Sequence, residues 1–293
     1  NFGFQPECAD LLRKLYAELE LALKYQFSHA WIQVIPMLSD LFVDNEVVLQ
    51  SLNPIMQRLA ILHESNDSDV NDAIDGFFGK AVAFYGPQAV VKQCPVTWRT
   101  FESSTPMMDQ DSEFRGEFTN PWLLPILRDH TQDKAQLALF VDHFLPLADD
   151  ISKKSTACKK LADRLRQVLS NQMETEGESY ETAYRAHESC LVANRELKRC
   201  VHALWALLPA FCRNPVDVPQ VFPKIAQRLG ETLYDRELFT FPLAGLRNLL
   251  KCSDEVTEKV ALFAKNYIPI LFNLYTNENE NTQIEQGMRL PVL

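Results

Sequence analysis

The sequence predicts an all-α fold, an α-solenoid of antiparallel helix pairs. Three observations predict it: apolar residues recur at helical spacing along nearly the whole chain, links between the helices are short, and prolines keep returning between apolar neighbours. Only nine glycines serve 293 residues, and the hairpin-forming steps Asn-Gly and Gly-Gly are absent, which argues against an all-β chain. Hydrophobic residues at 46% and charged ones at 23% are ordinary globular proportions, so the chain is expected to fold. At this length it exceeds a usual single core, and repetition favours one elongated array over two domains. Units of roughly 40 residues would make the repeats HEAT/ARM-like.

The elements follow in order. Leu12, Leu15, Leu19 and Leu23 mark a first amphipathic helix, placed over 6–26. Helices are expected next over 28–43, 46–64, 67–85 and 121–130. Leu137, Phe140, Phe144, Leu147 and Ile151 define 134–152, followed by 155–174 and 184–212. The run Val218, Val221, Ile225, Leu229 gives 217–234; 236–251 and 254–275 complete the series, and no convincing strand interrupts it. Asp217 is placed to cap its helix with Pro219 in the first turn, and Ser253 with Asp254 opens the last. Residues 1–293 thus form one continuous array, with 102–120 and 173–182 as exposed loops.

Proline sits between apolar residues at Pro36, Pro125, Pro146, Pro209 and Pro269, and more loosely at Pro54, Pro223 and Pro242. A proline inside a helix costs about 3 kcal/mol and persists where a bend improves packing; ordinary helix-start prolines are the alternative.

Chemistry is sparse. The seven cysteines are scattered singly, as in a reducing compartment, and the six histidines include no H-x-x-x-H pair. Phosphate-cradling loops and nucleophile elbows are missing, so no cofactor, metal or catalytic residue is expected. Asp149 and Asp150 beside His143 imitate an acid–base pair, but solvation of a helix end explains them more simply. No apolar stretch is long enough to span a membrane, and a small-molecule substrate is not indicated. The net charge of −10 favours protein partners over a wholly basic, nucleic-acid-coating surface. The start at Asn1 is neither a signal peptide nor an initiator methionine, as expected of a fragment.

One electrostatic feature stands out. Lys153, Lys154, Lys159, Lys160, Arg164 and Arg166 face a single acid, Asp163, within their segment. Lys153, Lys160 and Arg164 share a helical face, while Cys158, Leu161, Leu165 and Val168 occupy the inward one. Arg195, Lys198 and Arg199 form a second patch. Together these nine residues are the candidate contacts to RNA or an acidic partner, with a merely solvated face as the alternative. Trp31, Trp98, Trp122 and Trp205 have apolar neighbours and read as packing residues.

Several stretches in fixed order carry a family likeness: Tyr85-Gly86-Pro87-Gln88; Trp122-Leu123-Leu124-Pro125-Ile126-Leu127; Phe144-Leu145-Pro146-Leu147; Trp205 through Cys212; Pro215-Val216-Asp217; and Ala244 through Leu250. The segment 84–250 resembles the central HEAT-repeat domain of the ribosomal RNA processing protein twelve family, except that 102–120 departs from the proline-rich approach expected before Trp122. The resemblance implies a non-enzymatic scaffold of ribosome biogenesis in the nucleolus and nucleus, shuttling to the cytoplasm. Its partners would be pre-ribosomal proteins, pre-rRNA of the small-subunit precursor, and nuclear export machinery. The alternative within the same architecture is a karyopherin-like transport receptor or adaptor binding cargo or a Ran-type GTPase.

Overall fold

In the computed structural model the described residues are 6–64, 68–101, 114–132, 135–171 and 178–276. They are helical almost throughout: α1 Pro6–Ala22, a 3-10 turn Tyr25–Ala30, α2 Trp31–Asp40, α3 Glu46–His63, α4 Ser68–Tyr85, α5 Pro87–Gln93, α6 Leu123–His130, α7 Leu137–Leu139, α8 Leu145–Asn171, α9 Glu178–Trp205, α10 Leu208–Phe211, α11 Val218–Thr232, α12 Thr240–Leu249, α13 Asp254–Ala261 and α14 Ala264–Thr276. One antiparallel pair of short strands, β1 Trp98–Thr100 and β2 Gly116–Phe118, sets Trp98 opposite Phe118.

The chain divides into two compact units. The first comprises Asn1–Val96, Asn120–Gln136 and Arg213–Val216; the second comprises Thr97–Thr119, Leu137–Cys212 and Asp217–Leu293. In the first, Ile35, Leu38, Leu52, Phe77 and Phe78 are fully buried. Phe77 and Phe78 meet edge-on at 5.4 Å. In the second, the buried Phe140 ring lies 5.9 Å from Trp205 and 6.3 Å from Phe211, and Phe144 lies 5.9 Å from Phe211. Each such side chain contributes about 1.5–3 kcal/mol by leaving water, which is why single helices of this length persist only when stacked.

The repeat is written in the hydrogen bonds. Within the first unit, Lys80 meets Asp40 and the Tyr85 hydroxyl donates to the Val43 carbonyl, across 40 and 42 residues. Within the second, Asn248 donates to the Pro209 carbonyl across 39 residues and Tyr267 to that of Ala226 across 41. Partner numbers rise together in the pairs 40–80 and 43–85, so α2 and α4 run parallel, one repeat apart. They run oppositely in Ser155–Asn194 and Cys158–Cys190, so adjacent α8 and α9 are antiparallel. Gly245 lets α12 close on α10, since a Cβ there would lie 3.2 Å from both Cys212 Sγ and Leu208 Cγ.

The prolines divide. Pro36, Pro54, Pro223 and Pro269 lie inside helices, while Pro209 opens α10 and Pro125 and Pro242 lie in the first turns of α6 and α12. Pro146 follows a π-helical turn, Phe140–Phe144, in which the Leu145 N–H donates to the Phe140 carbonyl. Because Pro146 cannot donate to the carbonyl four residues back, a wider turn accommodates the lost bond.

Several expectations are corrected. The break expected at 152–155 does not exist, because α8 runs unbroken through it. α5 and the two strands were not foreseen. Gly86 takes φ 89°, which ends α4, and Pro87 starts α5 at once. The strands are three residues each, too short to show alternation. Of the expected exposed loops, 102–113 and 172–177 lie outside the described residues; Phe114 and Phe118 are buried, and Glu178 onward belongs to α9. The sequence's one Asp-Gly step, Asp75-Gly76, lies inside α4 and makes no hairpin turn. Val168 is 44% exposed and does not face inward; α8 instead buries Ile151, Ser155, Cys158 and Ala162.

Asp217 occupies the position before α11 yet makes no side-chain bond to that helix. Its two carboxylate oxygens instead accept the N–H groups of Leu137 at 2.7 Å and Ala138 at 2.8 Å, capping α7 from 80 and 79 residues away. Ser253 does stand before α13, without a side-chain bond. Asp217→Ala should lower the free energy of unfolding by about 1–2 kcal/mol, with Asp217→Asn intermediate. Denaturant titration checks this; an unchanged midpoint would show that the cap is energetically idle. Leu208→Asp or Phe211→Asp places a charge where both side chains are fully buried and should lose more than about 3 kcal/mol, visible as a collapsed circular-dichroism melt.

Candidate partner interface

The basic residues singled out by the sequence lie on α8 and α9, both in the second unit. α8 buries one stripe against α9, where the Ser155 hydroxyl donates to Asn194 at 2.7 Å and the Cys158 thiol approaches the Cys190 carbonyl at 3.2 Å. Helical phase then turns Lys153, Lys160 and Arg164 outward within about 40° of one another. Lys159 and Arg166 fall about 100° or more from Lys160, on a flank. The six basic residues of α8 therefore do not form one ridge.

The structure sorts them further. Lys153 pairs with Asp150 at 3.0 Å, and that hydrogen bond pushes its pKa up. Lys154 reaches the Thr100 hydroxyl at 3.4 Å. On α9, Lys198 meets Glu237 at 2.6 Å and Arg199 meets Glu196 at 3.2 Å. Among the described residues no acid pairs with Lys159, Lys160, Arg164, Arg166 or Arg195. Exposed pairs of this kind contribute about 0–1 kcal/mol, so they set local charge more than stability.

What the helix pattern could not reveal is where these residues converge. Arg195, Lys198 and Arg199 line an open groove of about 910 Å³ together with Ser152 and Thr156 of α8 and with Asp235, Arg236 and Glu237 of the α11–α12 link. A second groove of about 610 Å³ is lined by Asp149, Lys153, Lys160, Arg228 and Glu231, and it shares Ser152 and Thr156 with the first. Arg228 and Arg236 were missed because neither belongs to a run of basic residues. Stacking alone carries them beside α8: Arg228 donates to Asp149 at 2.5 Å across 79 residues, two repeat lengths. Lys159, Arg164, Arg166 and Lys154 line neither groove.

The arrangement offers fixed cations and little acid–base or nucleophilic chemistry. Asp149 and Asp150, the imitation pair, are committed to Arg228 and Lys153. Burial pushes the Cys94 thiol up to about 12 and Cys200 up to about 11, so both stay protonated at neutral pH. Cys212, fully buried, is raised further. Among the described residues no three His, Cys, Asp or Glu side chains gather as metal ligands, and no helix is long and apolar enough to cross a membrane. Trp31 and Trp205 are buried, as packing residues should be. Trp122 stacks on His63 at 4.3 Å, and Trp98 meets Phe118 edge-on at 5.5 Å.

Sequence comparison adds the lineage. The family described as Ribosomal RNA-processing protein 12, HEAT repeats, matches residues 5–173 and again 167–278. The chain belongs to this family. The two matched stretches overlap around the end of α8, and a HEAT-repeat match on this helical framework establishes the α-solenoid class. The RRP12-like protein of Homo sapiens is 28% identical over 275 residues, covering 91% of this chain and 18% of its own length. That of Gallus gallus is 28% identical over 284 residues, covering 94% and 19%. The Ribosomal RNA-processing protein 12 of Saccharomyces cerevisiae is 21% identical over 291 residues, covering 89% and 20%. The chain thus spans about a fifth of the length of these Ribosomal RNA-processing protein 12 relatives.

Thiol reactivity tests the packing beneath this surface. At neutral pH, alkylation of the folded chain should modify exposed Cys8 first, with Cys94, Cys158, Cys190 and Cys212 reacting only on unfolding. Mass spectrometry after a short pulse reads the order; labelling of Cys212 at the rate of Cys8 would contradict the core described above.

Proposed function

We propose that the chain is a non-enzymatic scaffold segment of ribosome biogenesis. It binds small-subunit precursor particles, supports pre-rRNA processing and accompanies their nuclear export, working in the nucleolus and nucleus. The observation that carries this reading is the family match over residues 5–278, on relatives whose names specify ribosomal RNA processing. Physical chemistry supports it. Stacked helix pairs present long, fixed surfaces on which several partners can be held at once, without a chemical step. The cationic grooves beside α8 give such a surface a place for polyanions even though the whole chain carries −10.

The reading is tested by affinity capture of the full-length protein from nuclear extract, followed by sequencing of the recovered RNA and mass spectrometry of the proteins. Small-subunit pre-rRNA with its assembling proteins is the expected yield. Transport cargo and a Ran-type GTPase without small-subunit precursors would replace this reading with that of a transport receptor.

A further inference from the structure

We propose that the two adjoining grooves along α8 form a phosphodiester clamp, which holds RNA by its backbone without reading bases and is anchored by Arg195 and Arg236. The proposal rests on the reading that this chain works on pre-rRNA, and it assigns that contact to particular side chains.

Charge comes first. The two grooves together are lined by seven lysines and arginines against four carboxylates; with Asp150 and Glu196, the partners of Lys153 and Arg199, the acids number six, so a small positive excess remains on a chain whose net charge is −10. The excess is unevenly available. Lys153, Lys198, Arg199 and Arg228 each have an acidic neighbour in hand, whereas among the described residues Arg195, Lys160 and Arg236 have none. Arg195 and Arg236 line the same groove from two different elements, α9 and the α11–α12 link. An anion between them would be held from two sides.

The link is itself fixed. The Glu237 N–H donates to the Asp235 carboxylate at 2.8 Å, the Phe239 N–H to the Asp235 carbonyl at 2.8 Å, and Glu237 is tied to Lys198 of α9. Arg236 is therefore mounted on a short braced turn, and little ordering is required of it on binding. The Thr156 hydroxyl proton is already committed to the Ser152 carbonyl at 3.0 Å, so the charged donors of the lining are its guanidinium and ammonium groups. Guanidinium forks match phosphate oxygens two at a time.

The same lining argues for backbone contact rather than base recognition or an acidic protein. Base reading of single strands needs open aromatic faces, and the one ring in the lining, His202, packs edge-on against Phe241 at 4.6 Å. A protein hot spot needs a well-filled apolar or aromatic anchor pocket, whereas in this groove Val201 is already buried and Leu238 is half-buried.

Fluorescence anisotropy of the 293-residue chain with oligo(U) and oligo(A) RNAs of about 20 nucleotides tests the clamp. Three released charges predict a slope of log affinity against log salt near −2, similar for both RNAs. Arg195→Glu with Arg236→Glu should weaken binding by about tenfold or more at an unchanged melting temperature. Lys159→Glu with Arg166→Glu, outside the grooves, should cost far less. If the glutamate pair disturbs the melt, Arg195→Gln with Arg236→Gln replaces it. Equal losses from the two pairs, a strong preference for one homopolymer, or displacement of RNA by an equal charge of poly-glutamate would each overturn the clamp. Failure to recover pre-rRNA from extract while the purified chain shows this pattern would sink the biogenesis reading and leave the clamp standing.

Discussion

A helix pair of this kind can bury only one face by itself, and the constraint that organises the molecule is that each pair must find its partner about 40 residues along the chain. Side-chain hydrogen bonds at separations of 38 to 42 residues record that register in each unit. They are few and individually worth about 1 kcal/mol, so they do not drive the stacking. They specify it. Burial of Phe77, Phe140, Phe211 and their neighbours supplies the driving force, and that force is indifferent to register. A Tyr267 hydroxyl that must meet the Ala226 carbonyl is not.

The candidate interface follows from the same constraint. α8 is long because its inward stripe of Ile151, Ser155, Cys158 and Ala162 matches α9 over many turns. A helix held along one side presents its other side at fixed phase. The α11–α12 link then arrives beside α9 because α11 packs in the same unit, and Lys198 meets Glu237 across 39 residues, one further repeat length. Arginines from three segments thus come to two adjoining grooves with no local sequence signal linking them. Charge on a solenoid surface is organised by stacking period rather than by runs of lysine, and the runs are the more conspicuous but less informative feature.

The all-α class, the helical periods and the family likeness were legible because they rest on local spacing. The nine basic candidates were legible as residue types, but only Lys153, Lys160, Arg195, Lys198 and Arg199 line the grooves. Arg228 and Arg236 were invisible because their significance is purely tertiary. The unforeseen helix α5 had a readable start in Gly86-Pro87, whereas the continuity of α8 across Ser152 to Ser155 is decided by packing against α9 and leaves no trace in propensity. Asp217 was placed correctly before its helix and assigned the wrong helix to cap. Side-chain oxygen at that position reads identically in sequence whether its donor is two residues or 80 residues away.

That long-distance cap has a consequence in time. Protein chains emerge from the ribosome from the N-terminus at about 5–20 residues per second, so Leu137 and Ala138 are synthesised roughly 4–16 s before the carboxylate that satisfies their N–H groups. During that interval the start of the helix leading into α8 has only water to bond, and its first turn is free to fray. The completed surface of α8 is therefore set late, when Asp217 arrives, and a nascent chain halted before it would display the basic residues on a helix whose beginning is not yet fastened.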